Sequence, residues 1–286
     1  MVQVARMRLN AKELWLEGMR DWNGKLPERM TDDGQEEAFW QGYVEGRGGE
    51  QPIALDEYAG PIREELVGLM NPDDTALEIG PGWGNYTFAA ASAVKRLVCV
   101  DSSRSVLAYL EKEAGRQCLS NMEYIHAKWE EHQLRESYDV VFGVNCFYRM
   151  ADIDEALIRI NDSARRLAVL GLTGGPEKPH YTEIRERLGC RIKFQRRDYI
   201  HLLAMLYELG IDANCRMLEL ERIYWYDTEE ELFKSNLRSI LDEEYDRRTA
   251  EAILRRHVIE QDGRLAYPHR FKAALLYWKP ERIIGC

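Results

Sequence analysis

The chain has 286 residues, enough for one large domain or two small ones, and its 45% hydrophobic and 31% charged content is ordinary for a globular enzyme. With 39 basic against 49 acidic residues the formal net charge is -10, which argues against a broad phosphate-tracking surface and against nucleic acid as the first partner. No stretch approaches the roughly 20 consecutive apolar residues of a membrane-spanning helix. Met1 to Asn10 carry no continuous apolar segment, so a secretory leader is not expected. Cys99, Cys118, Cys146, Cys190, Cys215 and Cys286 are scattered without a CxxC pair. Reduced thiols in a cytoplasmic protein without a metal site are the expectation.

The first 53 residues read as a helical segment. Asn10 is placed to cap a first helix, with Glu13 reaching back to it. A second helix begins near Thr31 or Asp32. On it Phe39, Trp40, Tyr43 and Val44 share one face at one-turn spacing, before a Gly46-Arg47-Gly48-Gly49 loop. This face suits packing onto the domain that follows, and Trp40 and Tyr43 are also candidates for lining a substrate pocket. From 75 to 173 short apolar runs alternate with helical patterns, the signature of a parallel sheet with helices on both faces. Strands are expected over 76–79, 96–100, 123–125, 138–144 and 167–172. Gly174-Gly175-Pro176 then reverses the chain, a helix ends at Leu209 with Gly210 as its stop, and 217–226 alternates as a strand. Thr228 with Glu231 forms a capping box for a helix carrying Leu232, Phe233, Leu237, Ile240 and Leu241. Another helix is expected over 246–260 and a final strand over 271–278.

The informative stretch is Leu77-Glu78-Ile79-Gly80-Pro81-Gly82-Trp83-Gly84-Asn85, an apolar strand running directly into closely spaced glycines and then a helix. Missing side chains let a ligand approach the backbone at the strand ends. The next strand ends at Asp101, where a carboxylate accepts both hydrogen bonds from a ribose diol. A dinucleotide-binding turn prefers GxGxxG, whereas GxGxG stands here behind an acid. Glu78 disfavours a pyrophosphate on Coulomb grounds and suits a cofactor with a cationic amino group, or water near the loop. No GxxxxGK[ST] phosphate loop is present.

At these residues the sequence resembles the class I S-adenosylmethionine-dependent methyltransferases, in particular the small-molecule branch of ubiquinone and menaquinone methyltransferases. The resemblance covers roughly 54–222 plus the final strand. It implies a Rossmann-like, doubly wound, mostly parallel seven-stranded α/β sheet with an antiparallel last strand. The methyltransferase domain would span 54–286, with 174–200 and 227–268 as substrate-side caps. S-adenosylmethionine is the implied cofactor and S-adenosylhomocysteine the product. Glu78, Gly80, Pro81, Gly82 and Gly84 would surround its methionine part, and Asp101 with Ser102 its ribose. Where the family commonly has an acid after the third strand this chain has Lys128, so Trp129 or Glu130 is expected to meet the adenine by stacking or hydrogen bonding. Asn145 would close the fourth strand beside the cofactor.

Methyl transfer from a sulfonium mainly requires alignment and exclusion of water, and a hydroxyl or protonated amine as acceptor adds a general base. Ligands of open parallel sheets sit beyond the carboxyl ends of the strands. Tyr148 and Arg149 follow the fourth strand, His180 follows the fifth, and Tyr267 and His269 precede the last. All five are substrate-side candidates, with Tyr148 and His269 as the candidate bases or orienting groups. The expected activity is methyl transfer to an O, N, C or S atom of a small molecule. The alternatives are a regulatory protein that keeps the cofactor pocket without turnover, and an RNA or protein methyltransferase. The RNA form rests on Arg185, Arg187, Arg191, Lys193, Arg196 and Arg197, whose other reading is a solvated helix face. His126 and His132 lack metal-ligand geometry, and no metal is expected.

Overall fold

The apolar runs of the middle of the chain become adjacent strands of one sheet. In a computed structural model, which describes residues 7–47, 51–133 and 136–281, these are β1 (Thr75–Ile79), β2 (Arg96–Asp101), β3 (Met122–His126), β4 (Tyr138–Val144) and β5 (Ala164–Gly174). β1 pairs in parallel with β2 and β4, β2 with β3, and β4 with β5. Three later strands, β6 (Asn214–Tyr226), β7 (Ile259–Gln261) and β8 (Arg264–Trp278), complete the order β3-β2-β1-β4-β5-β8-β6, with β7 antiparallel on β8. The order reverses between β1 and β4, the kind of switch point at which ligands bind in such sheets. Leu77, Val98 and Val141 are fully buried. Each such side chain contributes about 1.5–3 kcal/mol, and strands covered on both faces need no polar alternation.

The chain divides into two compact units: Met1–Thr173, Arg197–Leu218 and Ala274–Cys286 form the first, Gly174–Arg196 and Glu219–Ala273 the second. The first contains α1 (Ala11–Met19), α2 (Glu28–Thr31), α3 (Asp33–Arg47), α4 (Gly60–Gly68), α5 (Thr87–Ala93), α6 (Arg104–Arg116) and α7 (Ile153–Ser163). The single helix expected to end at Leu209 is two: α8 (Pro179–Leu188) in the second unit, which Gly189 ends in the left-handed region, and α9 (Tyr199–Glu208) in the first. Trp15, Leu77, Val141, Ile153, Leu170, Leu206 and Trp278 share the core of the first unit.

Asn10 adopts φ 56° and makes no capping bond. The Glu208 carboxylate takes that role, accepting from the backbone N–H groups of Leu9 and Ala11. α3 starts as expected, with Asp32 Oδ1 accepting from Gly34 N at 2.7 Å and Gln35 N at 3.1 Å. It runs on through Gly46 and Arg47, which were expected in a loop; Gly48 and Gly49 lie outside the described residues.

The second unit packs α10 (Glu229–Leu237) and α11 (Arg247–Arg255) with α8 around Ile184, Leu232, Ile253, Leu254 and Tyr267. Thr228 caps α10 through Glu231 N, but the helix stops at Leu237 instead of reaching Leu241. Lys193 N donates to Ser239 O and Leu241 N to Arg191 O, which pulls that stretch into extended pairing with Ile240 opposite Ile192. α11 likewise ends before Glu260. Asp262 and Gly263, at φ 51° and 74°, turn the chain from β7 into β8, which therefore begins at Arg264. Among the described residues no helix is long and apolar enough to cross a membrane.

Candidate active site

β1 delivers Glu78 into the interior and leads straight into the glycine loop. Gly80, Gly82 and Gly84 have φ of 60°, 55° and 88°, in the region that favours glycine. A Cβ on Gly80 would lie 2.4 Å from Cys146 Cβ, and one on Gly84 2.4 Å from Phe88 Cε2, so neither position admits a side chain. Gly82 instead faces the Trp40 ring, 3.5 Å from the place of its missing Cβ. The Pro81 carbonyl accepts from Gly84 N at 3.1 Å and closes the turn. Glu78 is 2% exposed, and its Oε2 has no hydrogen-bond partner among the described residues. Burial, reinforced by the nearby Asp101, pushes its pKa up to about 8. A buried orphan acceptor is unfavourable, and the cationic amino group of a cofactor would satisfy it.

Asp101 closes β2. Its Oδ1 accepts from Ser103 N at 2.8 Å, and the Gly82 backbone also donates to the carboxylate. Burial raises its pKa to about 7 against these two donors, helped by the charges of Glu36 and Glu37. A carboxylate offers about four lone-pair sites, so two remain for a ribose diol. Beyond the ends of β2 and β3 an open cavity of about 550 Å³ is lined by Glu37, Ser102, Ser103, His126, Lys128 and Arg149, among others.

α3 supplies a row of groups that sequence reasoning missed. Asp33 bridges Lys128 at 2.6 Å and Arg149 at 2.7 Å, and these partners hold its carboxyl below the usual range. Glu36 is buried. Against the burial that would raise it, donors from Arg29 (2.8 Å), Tyr148 and Trp40 (2.8 Å) hold it low. Glu37 accepts from Ser105 N at 3.1 Å and Ser105 Oγ at 2.7 Å at the start of α6, where a carboxylate favours the helix dipole. The signal was present: 33, 36, 37 and 40 recur at one-turn spacing on the helix whose aromatic positions had been noticed. Trp40, Tyr43 and Trp83 form one cluster, with ring separations of 5.6, 6.2 and 5.1 Å.

The structure brings Glu78, the glycine loop and Asp101 together; Ser102, Lys128 and Arg149 line the cavity. Trp129 is a correction. It is buried among core residues and its Nε1 donates to Ala156 O at 3.1 Å, so its ring is unavailable for stacking on adenine. Glu130 is half-buried, and its charge reaches Cys146. Asn145, at φ 56°, accepts at Oδ1 from Thr173 N (2.8 Å) and Thr173 Oγ1 (3.1 Å), tying the ends of β4 and β5. The Tyr148 hydroxyl donates to Glu36, and burial with that carboxylate raises its pKa well above the usual range. That makes it a positioning group, not a base.

His180, Tyr267 and His269 lie in the second unit. His180 is buried, shares a 2.8 Å hydrogen bond with the Tyr267 hydroxyl, and burial pulls its pKa down to about 3. His269 donates from Nε2 to Pro176 O at 3.0 Å and stacks on Phe271. Burial lowers its pKa as well, which leaves Nδ1 as an acceptor. The basic run is not a free cationic face. Arg185 pairs with Glu177, Arg187 with Glu183, and Arg191 with Asp242, an acid distant in sequence.

Residues 76–166 match the family model described as a methyltransferase domain. The solved structure of YcgJ from Bacillus subtilis is similar at 15% identity and a TM-score of 0.50, over 79% of this chain and 98% of that one. A putative methyltransferase from Bacillus halodurans is similar at 14% identity and 0.50, over 79% and 99%. The N-methyltransferase NodS from Bradyrhizobium japonicum, solved with S-adenosyl-L-homocysteine, aligns at 11% identity and 0.47 over 85% and 99%. No curated protein sequence matches significantly. Likeness at these identities shows the fold, a Rossmann-like α/β architecture. The domain match adds the chemistry: residues 76–166 carry a methyltransferase domain, with S-adenosylmethionine as its cofactor.

Proposed function

We propose that this methyltransferase acts on a small molecule, at an O, N, C or S atom, as in the branch its glycine loop resembles. The observation that carries the reading is α3. Trp40 stands against Gly82 and, with Tyr43 and Trp83, covers the glycine loop, while Asp33 ties Lys128 to Arg149 at the cavity rim. Aromatic rings over the glycine loop and a charged rim on the open cavity suit a small acceptor. When bound, S-adenosylmethionine supplies an electrophilic methyl group on a sulfonium.

The protein's own part is binding, orientation and dryness. Glu78 Oε2 takes the cofactor's amino group, Gly80, Pro81, Gly82 and Gly84 pass its methionine part close to the backbone, and Asp101 takes the ribose hydroxyls. Ser102 and Lys128 frame the adenosine, and Asn145 holds the end of β4 in place. Glu36 fixes Tyr148 and Trp40 together, so the acceptor meets a rigid wall and not a mobile aromatic face. His269, held by Pro176 O, is the candidate proton acceptor. The segments assigned here to the substrate, 174–200 and 227–268, overlap the second unit, 174–196 and 219–273. The five described cysteines are free thiols, which supports a cytoplasmic enzyme. Incubation with methyl-labelled cofactor and separate metabolite, RNA and protein fractions tests the reading. Label is expected in a metabolite; label confined to RNA or protein refutes it.

A further inference from the structure

The second unit holds a cation without a counter-charge. Lys178, the residue preceding α8, places its ammonium 3.8 Å from the ring centroid of Tyr224 and 5.0 Å from that of Tyr267. Nζ donates to Asn236 Oδ1 at 2.8 Å. Asn236 is fully buried and locked, because its Nδ2 donates to the Tyr226 hydroxyl at 3.1 Å and to Leu232 O at 2.8 Å. Among the described residues no carboxylate pairs with Lys178. Acids of this unit are engaged elsewhere: Glu177 with Arg185 at 2.8 Å, Asp227 with Arg264 at 2.6 Å and Glu221 with Arg270 at 3.4 Å. A second cation approaches the same ring, with the Arg222 guanidinium 4.9 Å from the Tyr224 centroid. Burial, then the charges of Arg222 and Arg238, bring the Lys178 ammonium down to about 8.

Fold stability does not reward this arrangement. Immobilising a lysine forfeits side-chain entropy, and holding it near two guanidinium groups adds repulsion. Attraction to the tyrosine faces positions the ammonium without neutralising it. An ammonium has three donors, and among the described residues only one has a protein acceptor. In the first turn of α8 the neutral, fully buried His180 also leaves Nε2 without a partner, beside the same Tyr267.

We infer that Lys178, Tyr224 and Asn236 form a recognition site for an oxyanion, the carboxylate or phosphate of a small molecule. The site goes beyond methyl transfer, since its ligand is defined by the anionic group whether or not that ligand is the methyl acceptor. Asn236 aims the ammonium and Tyr224 supplies a flat wall, leaving two ammonium donors for the anion.

The test is a brief pulse of acetic anhydride on the full chain at mildly alkaline pH, read by peptide mass spectrometry. Inorganic phosphate, succinate and sodium chloride are compared at matched ionic strength. Phosphate or succinate is expected to slow acylation of Lys178 severalfold over chloride and to leave Lys272, paired with Glu219 at 3.0 Å, unchanged. Which anion protects distinguishes phosphate from carboxylate. Protection by neither, or equal protection of both lysines, overturns the inference. In calorimetric titration of the protecting anion, Lys178→Met is expected to weaken binding at least about tenfold; unchanged binding also overturns it. S-adenosylhomocysteine titrated into the same samples reports the cofactor site separately, so failure of one site is not mistaken for failure of the other.

Discussion

Binding of S-adenosylhomocysteine is expected to expel protons from two carboxyl groups of the free protein. Glu78 titrates at about 8 and Asp101 at about 7. At pH 7 a proton therefore occupies about 0.9 of the Glu78 sites and about 0.5 of the Asp101 sites. The ligand's amino group and its ribose hydroxyls all require carboxylates, so binding releases about 1.4 protons per chain at pH 7 and about 1.9 at pH 6. Affinity then rises with pH until the Glu78 value is passed. Calorimetry in buffers of different ionisation enthalpy counts these protons directly. Glu78→Gln should leave about 0.5 at pH 7, and Asp101→Asn about 0.9. A wild-type count near zero at about pH 6, or the same count in both variants at about pH 7, would refute the assignment of these two acids to the cofactor.

The same raised values fix the sign of a stability effect: between the ordinary carboxylate range and about pH 8 the folded state binds protons the unfolded state has lost, so the free protein's Tm should fall as pH rises through that window. Glu78→Gln should flatten the fall, as scanning calorimetry across pH would show. Gly84→Ala combines a positive φ with a 2.4 Å approach to Phe88 and should destabilise by about 2–5 kcal/mol, whereas Gly115→Ala in α6, with nothing within 4 Å, should stabilise by about 0.5–1 kcal/mol. Denaturant titration decides both. Tyr148→Phe removes a donor to Glu36 and should cost about 1–3 kcal/mol while leaving the shape of the pH–rate profile intact; loss of a profile limb would restore Tyr148 as a base.

The central strands and the glycine loop are legible because local sequence determines them. A strand covered on both faces must be apolar, and a loop with left-handed φ beside Cys146 and Phe88 must be glycine. What escaped depended on partners far along the chain. Glu208 caps α1 in place of Asn10, Ile192 draws Ile240 out of the expected helix, and Asp242 neutralises Arg191. Trp129 reads as a stacking residue in its own neighbourhood, and only the packing of α7 shows it turned inward. The β7–β8 hairpin is a different kind of miss, since Asp262-Gly263 is a strong turn signal. It was outweighed by the helical periodicity before it.

Glu36 ties this site to the N-terminal helices, and its removal separates structure from electrostatics. Glu36→Ala strips Trp40 and Tyr148 of their acceptor inside a buried region and should cost about 2–4 kcal/mol, or roughly 5–15 °C in Tm. Glu36→Gln keeps an acceptor oxygen and removes the charge, so its penalty should stay near about 1 kcal/mol. That charge is one of the influences holding Asp101 high. In Glu36→Gln the Asp101 carboxyl should therefore titrate lower, fewer protons should leave when S-adenosylhomocysteine binds at neutral pH, and affinity there should rise. A Glu36→Gln protein with wild-type Tm and an unchanged proton count would mean that α3 acts on the site through packing alone, and that Glu36 and Glu37 do not set the charge state of the Asp101 carboxylate.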